Sequence, residues 1–293
     1  MTTIRIILIA CCLWATQAGA GVLVRDAEGN ELALNQPAQR IISLAPNITE
    51  LLFAAGGAHH VVGVMQFSDF PEAAKKIAVI GDSHELDMER ILALHPDLLV
   101  VWRGGGSGKQ ISQLQKLHIP VFYIDLRKMD DIPRTVMLLG QLMGTELQAN
   151  ATAAGLQQQL TLLSGTYAHR TPVRIFYQVW DKPLFTLNGQ HIVSDAIRLC
   201  GGVNIFAGLA NLSPNVDIEA VLQEDPDAIV GTTESNPADG GVTMWNRYPA
   251  LRAVRHGHIV TIDGNLMNRA GPRMIAGTAA LCEKLDSVRK KTP

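Results

Sequence analysis

The sequence is sparing with aromatic side chains. Phe, Trp and Tyr make up 5% of its 293 residues, so each one not needed to fill a core is worth locating. A basic excess is also missing: 25 Lys and Arg stand against 27 Asp and Glu, for a formal net charge of −2. No basic stripe stands out either, which excludes a nucleic-acid partner held by phosphate contacts. After the first twenty residues no apolar run approaches the roughly 20 residues that span a bilayer. Nucleophilic enzyme chemistry leaves no trace: there is no G-x-S-x-G elbow, and no pair of carboxylates reads as acid and base. The stretch "RGGGSGKQ" (Arg103–Gln110) has Gln after its Lys, where a phosphate-binding loop needs Ser or Thr. Its glycines suit a cleft-rim loop ahead of a helix starting near Ser107. His59 and His60 are adjacent, lack metal-ligand spacing and read as a solvated loop. His84 has two readings: a surface hydrogen-bonding group, or a ligand for cobalt or haem iron.

What is present points to an exported, packed protein. Apolar residues make up 47% and charged ones 18%, which suits about two globular domains. The start, "MTTIRIILIACCLWATQAGA", has a single positive charge at Arg5, an apolar run from Ile6 to Ala15 and small residues at Ala18–Ala20. It reads as a secretory signal peptide cut after Ala20, and hence as a periplasmic protein. A lipoprotein cleavage box at Leu8–Cys11 is the rival reading. Cys11 and Cys12 leave with the signal, so Cys200 and Cys282 remain. In an oxidising compartment they form one disulfide or stay as two buried thiols.

One element occurs twice. "DMERILALHPDLLV" (Asp87–Val100) returns as "DIEAVLQEDPDAIV" (Asp217–Val230), with Glu89 matching Glu219 and Pro96 matching Pro226. Asp87 can cap a helix, Glu89 sits in a first turn where the helix dipole favours negative charge, and Pro96 stops the helix before a buried strand. Other segments echo in the same order. "RIISLAPNITELLFAAGG" (Arg40–Gly57) resembles Val173–Gly202, and "IPVFYID" resembles "GHIVTID". The pattern predicts two related α/β lobes, each with a central parallel sheet. Between them, Met129–His169 holds no convincing strand and predicts a long helix of roughly 20 residues, about 30 Å. If the lobes are related by a pseudo-twofold, Glu89 and Glu219 are like charges at mirrored places. They are either acidic knobs for a two-fold basic partner or complements to their own helix dipoles.

The segments "RIISLAPNITELLFAAGG", "FSDFPEAAKKI", "LDMERILALHPDLLVVWRGG", "IRLCGGVNIF" and "NRAGPRMIAGTAALC" resemble the periplasmic cobalamin-binding proteins (BtuF-like) of ABC importers. The resemblance runs from about Arg40 to Leu285 and lies more in the order of the motifs than in any one of them. It implies a class III binding-protein fold of the helical-backbone type, with a corrinoid held between the lobes. The corresponding division is a signal peptide at 1–20, an N-terminal lobe at 21–126, a linking helical segment at 127–170 and a C-terminal lobe at 171–293. A Cys200–Cys282 disulfide is implied, as is docking of Glu89 and Glu219 onto arginines of a permease dimer in the inner membrane. Trp102, Phe185 and Arg269 match family ligand positions, and Phe67 sits where the family often has Tyr. Ser83 and Ser213 stand where a cobalamin binder of the family has tryptophans, and Asn265 where it has Asp. Trp180 and Trp245 are candidates to restore the lost aromatic area, and His84 lies beside the cleft edge.

The expectation is therefore a non-enzymatic capture protein, monomeric when free, with cobalamin as cargo and no resident cofactor or metal. Haem or another metal chelate is the alternative ligand. A secreted metal-dependent hydrolase using His59, His84 and nearby Asp residues is the reading from a different class.

Overall fold

The computed structural model describes residues 21–233 and 241–291. The expected signal peptide and its cleavage box lie outside the described residues. An antiparallel hairpin, β1 (Val22–Arg25) and β2 (Glu31–Leu34), opens the described chain. The first lobe follows as β3 (Ile41–Ser43), α1 (Pro46–Ala54), β4 (Val61–Val64), β5 (Ala78–Val79), α2 (Met88–Ala93), β6 (Leu98–Trp102), α3 (Gly108–Lys116) and β7 (Val121–Ile124). Its five strands are all parallel, in the order β5-β4-β3-β6-β7.

The linking segment holds two helices, α4 (Asp131–Met143) and the 22-residue α5 (Glu146–Tyr167). They pack very closely: a Cβ at Gly140 would lie 2.3 Å from the Cβ of Ala149, so only glycine admits this contact. The second lobe runs β8 (Val173–Tyr177), β9 (Trp180–Asp181), β10 (Leu184–Phe185), α6 (Ile192–Leu199), β11 (Gly202–Asn204), α7 (Ile218–Glu224), β12 (Ala228–Thr232), α8 (Arg252–Arg255), β13 (Ile259–Ile262), α9 (Gly264–Met267) and α10 (Met274–Lys291). Its main sheet is also parallel, in the order β11-β8-β12-β13.

Parallel sheets bury both faces, which is why β6 and β12 read as apolar runs rather than alternating ones. The outer face of each sheet has its own core, one around Leu99, Ile91 and Ile111 and one around Phe176, Val221 and Trp245. The inner faces share a single core. It passes from Ile41 and Leu51 through Leu139, Ala149 and Leu160 of α4 and α5 to Ile175, Cys200 and Leu285. The two lobes are thus joined by continuous apolar packing, not only by chain connectivity.

The duplicated element folds the same way twice. Asp87 Oδ1 accepts the Arg90 amide at 2.9 Å, and Asp217 Oδ1 accepts the Ala220 amide at 2.9 Å, so both are N-caps. Each helix then ends in a left-handed residue just before the proline, His95 at φ 45° and Asp225 at φ 42°. The aspartate after each proline grips the central strand of its sheet. Asp97 accepts the amides of Gln39 and Arg40 at 2.7 and 2.9 Å, and Asp227 accepts the Arg174 amide at 2.9 Å. The reverse bonds, Asp97 N to Arg40 O and Asp227 N to Arg174 O, complete both clips.

Cys200 and Cys282 form a disulfide, which ties the end of α6 to α10 across 82 residues of sequence. A loop of that length removes up to about 4 kcal/mol of unfolded-chain entropy. The Cys200→Ser/Cys282→Ser double variant is expected to lose roughly 2–4 kcal/mol of unfolding free energy. Denaturant titration measures this, and reductant should then no longer change the variant's midpoint.

Candidate ligand cleft

In open parallel sheets the carboxyl ends of the strands, with the loops that follow, form the ligand-binding edge. Here the carboxyl ends of the two sheets are drawn together. Asn47, at the start of α1, donates from Nδ2 to the Ala270 carbonyl at 3.1 Å. Arg273 donates to both oxygens of Glu50, at 2.9 and 2.5 Å. Arg269 bonds Asp69 at 2.5 Å and approaches Glu50 at 3.7 Å. The Glu50 carboxylate is only 2% exposed, so its charge is held in the lobe junction by cations from the opposite lobe. Asp69 is held below the usual carboxylate range, chiefly by the hydrogen bond from Arg269.

Several large aromatic side chains lie open beside this junction. Phe67 is 70% exposed and has a left-handed backbone, φ 65°, unusual for so bulky a residue. Its turn is fixed from beneath: Ser43 Oγ meets Thr49 Oγ1 at 2.8 Å, and Thr49 in turn donates to Ser68 Oγ at 3.1 Å. That buried hydroxyl chain anchors Ser68 and leaves the neighbouring ring on display. Phe70 carries the Arg273 guanidinium over its face at 4.0 Å. Trp102, at the end of β6, is 39% exposed. A Cβ at Gly104 would come within 2.8 Å of its ring, so the glycine run of Arg103–Gln110 makes room for the indole. The same run passes the Ser83 carbonyl at Gly106. Ser83 and His84 are exposed on a turn set by Asp82, whose Oδ1 accepts the His84 amide at 2.8 Å, while Gln110 brackets Leu86 through its side-chain amide.

From the second lobe, Trp180 is 43% exposed on the small β9–β10 hairpin, where it pairs with half-buried Phe185. Its indole N–H donates to the Lys182 carbonyl at 3.1 Å. Ser213 donates to the Thr186 carbonyl beside that hairpin, and Asn265 follows the Asp263 cap of α9, half-buried. The structure thus places Phe67, Ser83, His84 and Trp102 on the rim of one lobe and Trp180, Phe185, Asn265 and Arg269 on the rim of the other.

Two expectations change. Trp245 contributes nothing to the cleft: it is fully buried between Phe176 and Tyr248, with its N–H on Gln178 Oε1 at 2.6 Å. His59 and His60 do lie in a turn, but His60 is buried, and burial lowers its pKa. Among the described residues no group of three or more His, Cys, Asp or Glu is placed to hold a metal ion. Sequence reasoning did not pick out Glu50, Asp69 or Arg273. Arg273 lies in the quoted motif "NRAGPRM", four residues after Arg269, and its spacing alone did not say which lobe it serves. Glu89 and Glu219 sit exposed in the first turns of α2 and α7, with no ion pair or hydrogen bond from either carboxylate to another described residue.

Two parallel-sheet lobes sharing one core, with large aromatic side chains exposed on both, have the architecture of a two-lobed binding protein. The chain belongs to the periplasmic binding protein family, whose family model matches residues 41–266. It is 36% identical over 253 residues to a vitamin B12-binding protein of Yersinia pestis (strain Pestoides F), covering 86% of this chain and 88% of that one. It is 32% identical over 258 residues to a vitamin B12-binding protein of Vibrio parahaemolyticus serotype O3:K6, covering 88% and 93%. Among solved structures, the periplasmic vitamin B12-binding protein BtuF of Vibrio cholerae superposes with a TM-score of 0.80 at 32% identity, over 87% of this chain and 99% of that one.

At the edge of the junction, His191 caps α6 by accepting the Val193 amide on Nδ1 at 3.2 Å, which requires an unprotonated nitrogen. Burial, then the nearby Arg127 charge, lowers its pKa from 6.5 to about 4. The folded value lies below the unfolded one, so the contribution is complete above pH 6.5 and is lost as pH falls toward 4. Unfolding free energy is expected to drop by up to about 3 kcal/mol across that window. His191→Asn, which keeps a capping side chain, should flatten that part of the pH profile.

Proposed function

We propose that this chain is the substrate-binding protein of an ABC importer, which captures cobalamin or a related corrinoid in the periplasm and delivers it to the permease. The observation that carries the reading is the set of open aromatic rings, Phe67 and Trp102 on one lobe and Trp180 on the other. Rigid rings offer wide apolar area to a flat macrocycle at little entropic cost, and the polar groups of Ser83, Asn265 and Arg269 can meet its amide arms. The relatives named as vitamin B12-binding proteins support the same ligand class. In this reading cobalamin is cargo rather than a resident cofactor, the protein performs no catalysis, and the free protein is a monomer. The exposed, unpaired carboxylates of Glu89 and Glu219 suit docking onto a two-fold basic partner.

Calorimetric titration of residues 21–293 with cyanocobalamin, with haemin in parallel, tests the ligand. One-to-one binding of cyanocobalamin is expected. Tight haemin binding without any cobalamin signal would overturn the corrinoid reading and bring His84 forward as an axial ligand. Trp102→Ala should weaken cobalamin binding about tenfold, the equivalent of ~1.4 kcal/mol; unchanged affinity would make the indole a packing residue only. The Glu89→Ala/Glu219→Ala variant should bind ligand like the parent yet support less uptake by the reconstituted importer. Equal uptake would remove the docking role.

A further inference from the structure

A second opening between the lobes is lined by charge rather than by rings. It encloses about 830 Å3 and lies where the carboxyl ends of β6 and β7 face the start of α6. Arg103, Asp125, Arg127 and Lys128 line it from the first lobe and the start of the linker, and Asp195 and Arg198 from the second lobe. Four cations therefore face two carboxylates.

Both carboxylates are already engaged. Asp125 pairs with Arg127 at 2.8 Å and lies 3.8 Å from Arg103. Asp195 pairs with Arg198 and accepts the Met129 amide at 2.8 Å. The Lys128 ammonium bonds no other described residue. The lining side chains themselves carry an excess of two positive charges, with Glu28 3.9 Å from Arg103 and Asp131 on the Arg127 and Lys128 amides behind them, and the amino end of α6 adds its dipole on the same side. Arg103 directly follows Trp102, so one wall of this opening is the residue next to an exposed ring of the cleft.

We propose that this opening is an anion subsite of the cleft, in which Arg103, Arg127, Lys128 and Arg198 hold the phosphodiester of a nucleotide-bearing corrinoid. The inference rests on the cobalamin reading and deepens it. The amide arms of a corrinoid are neutral, whereas the phosphate of its nucleotide loop carries a full negative charge. Guanidinium forks match phosphate oxygens, and an unpaired ammonium adds a point charge. The aromatic rims would then hold the macrocycle, while this opening selects for the nucleotide arm. Open to solvent, its attraction is screened by salt, whereas ring contacts are not.

The test compares cyanocobalamin with dicyanocobinamide, which has the macrocycle but lacks the phosphodiester and base. Both are titrated into the parent protein and into Arg127→Gln/Lys128→Gln at low and high sodium chloride. The parent is expected to bind cyanocobalamin about tenfold more tightly than dicyanocobinamide, by a margin that shrinks at high salt. The variant should lose that margin while keeping the parent's affinity for dicyanocobinamide, which also shows that its cleft is intact. Equal affinity of the parent for the two corrinoids overturns the subsite and leaves the ligand reading standing. So does a salt-independent margin, or a variant that weakens both corrinoids alike. Failure of the parent to bind either corrinoid removes the cobalamin reading and the subsite together.

Discussion

A carboxylate can be nearly removed from water only where a cation goes with it, and that constraint fixes how the two lobes meet. Glu50 belongs to α1 of the first lobe, and among the described residues its charged partners come from the short segment before α10 of the second. Removing either side would leave an uncompensated buried charge, a cost of several kcal/mol. The same segment supplies Arg269 to Asp69 and the Ala270 carbonyl to Asn47, so one stretch of chain makes all of these contacts. With the core that passes through α4 and α5, they make lobe separation expensive. The exposed aromatic side chains are presented on a frame held by these contacts.

Much of the frame could be read from the chain. The duplicated Asp-to-Val stretch announced two α-turn-β units, and both fold with the cap, stop and strand that the residues require. The apolar strands and the long linking helix were legible for the same reason: local propensity and tertiary role agree there. What was not legible depends on partners distant in sequence. Glu50 and Arg273 are 223 residues apart, and nothing near either one says that they meet. Trp245 read as a spare aromatic because exposure is a property of the fold, and its hydrogen bond to Gln178 is made only once β8 is in place. The single long helix expected in the linker is α5, and the shorter α4 ahead of it, although its buried residues recur at helical spacing, was not read as a separate element.

The site itself was legible in part, and unevenly. Trp102 and Phe67 could be singled out by the family resemblance, but not the means of displaying them. The glycine beneath the indole and the hydroxyl chain beneath Phe67 show that the exposure is built, since each ring is held outward by contacts that serve no other evident end. The charged opening beside the cleft was out of reach, because its lining comes from four separate stretches that only the docked lobes bring together.

The paired clips at Asp97 and Asp227 make the molecule its own reference. Each aspartate grips the entry of a central strand through backbone amides, but among the described residues only Asp227 also holds a guanidinium, that of Arg252 at 2.8 Å. The same local architecture thus exists with and without one extra ionic contact, inside a single chain and under one set of solution conditions. The two copies therefore anchor a strand entry in two ways within one fold, by two amides at Asp97 and by one amide and a guanidinium at Asp227.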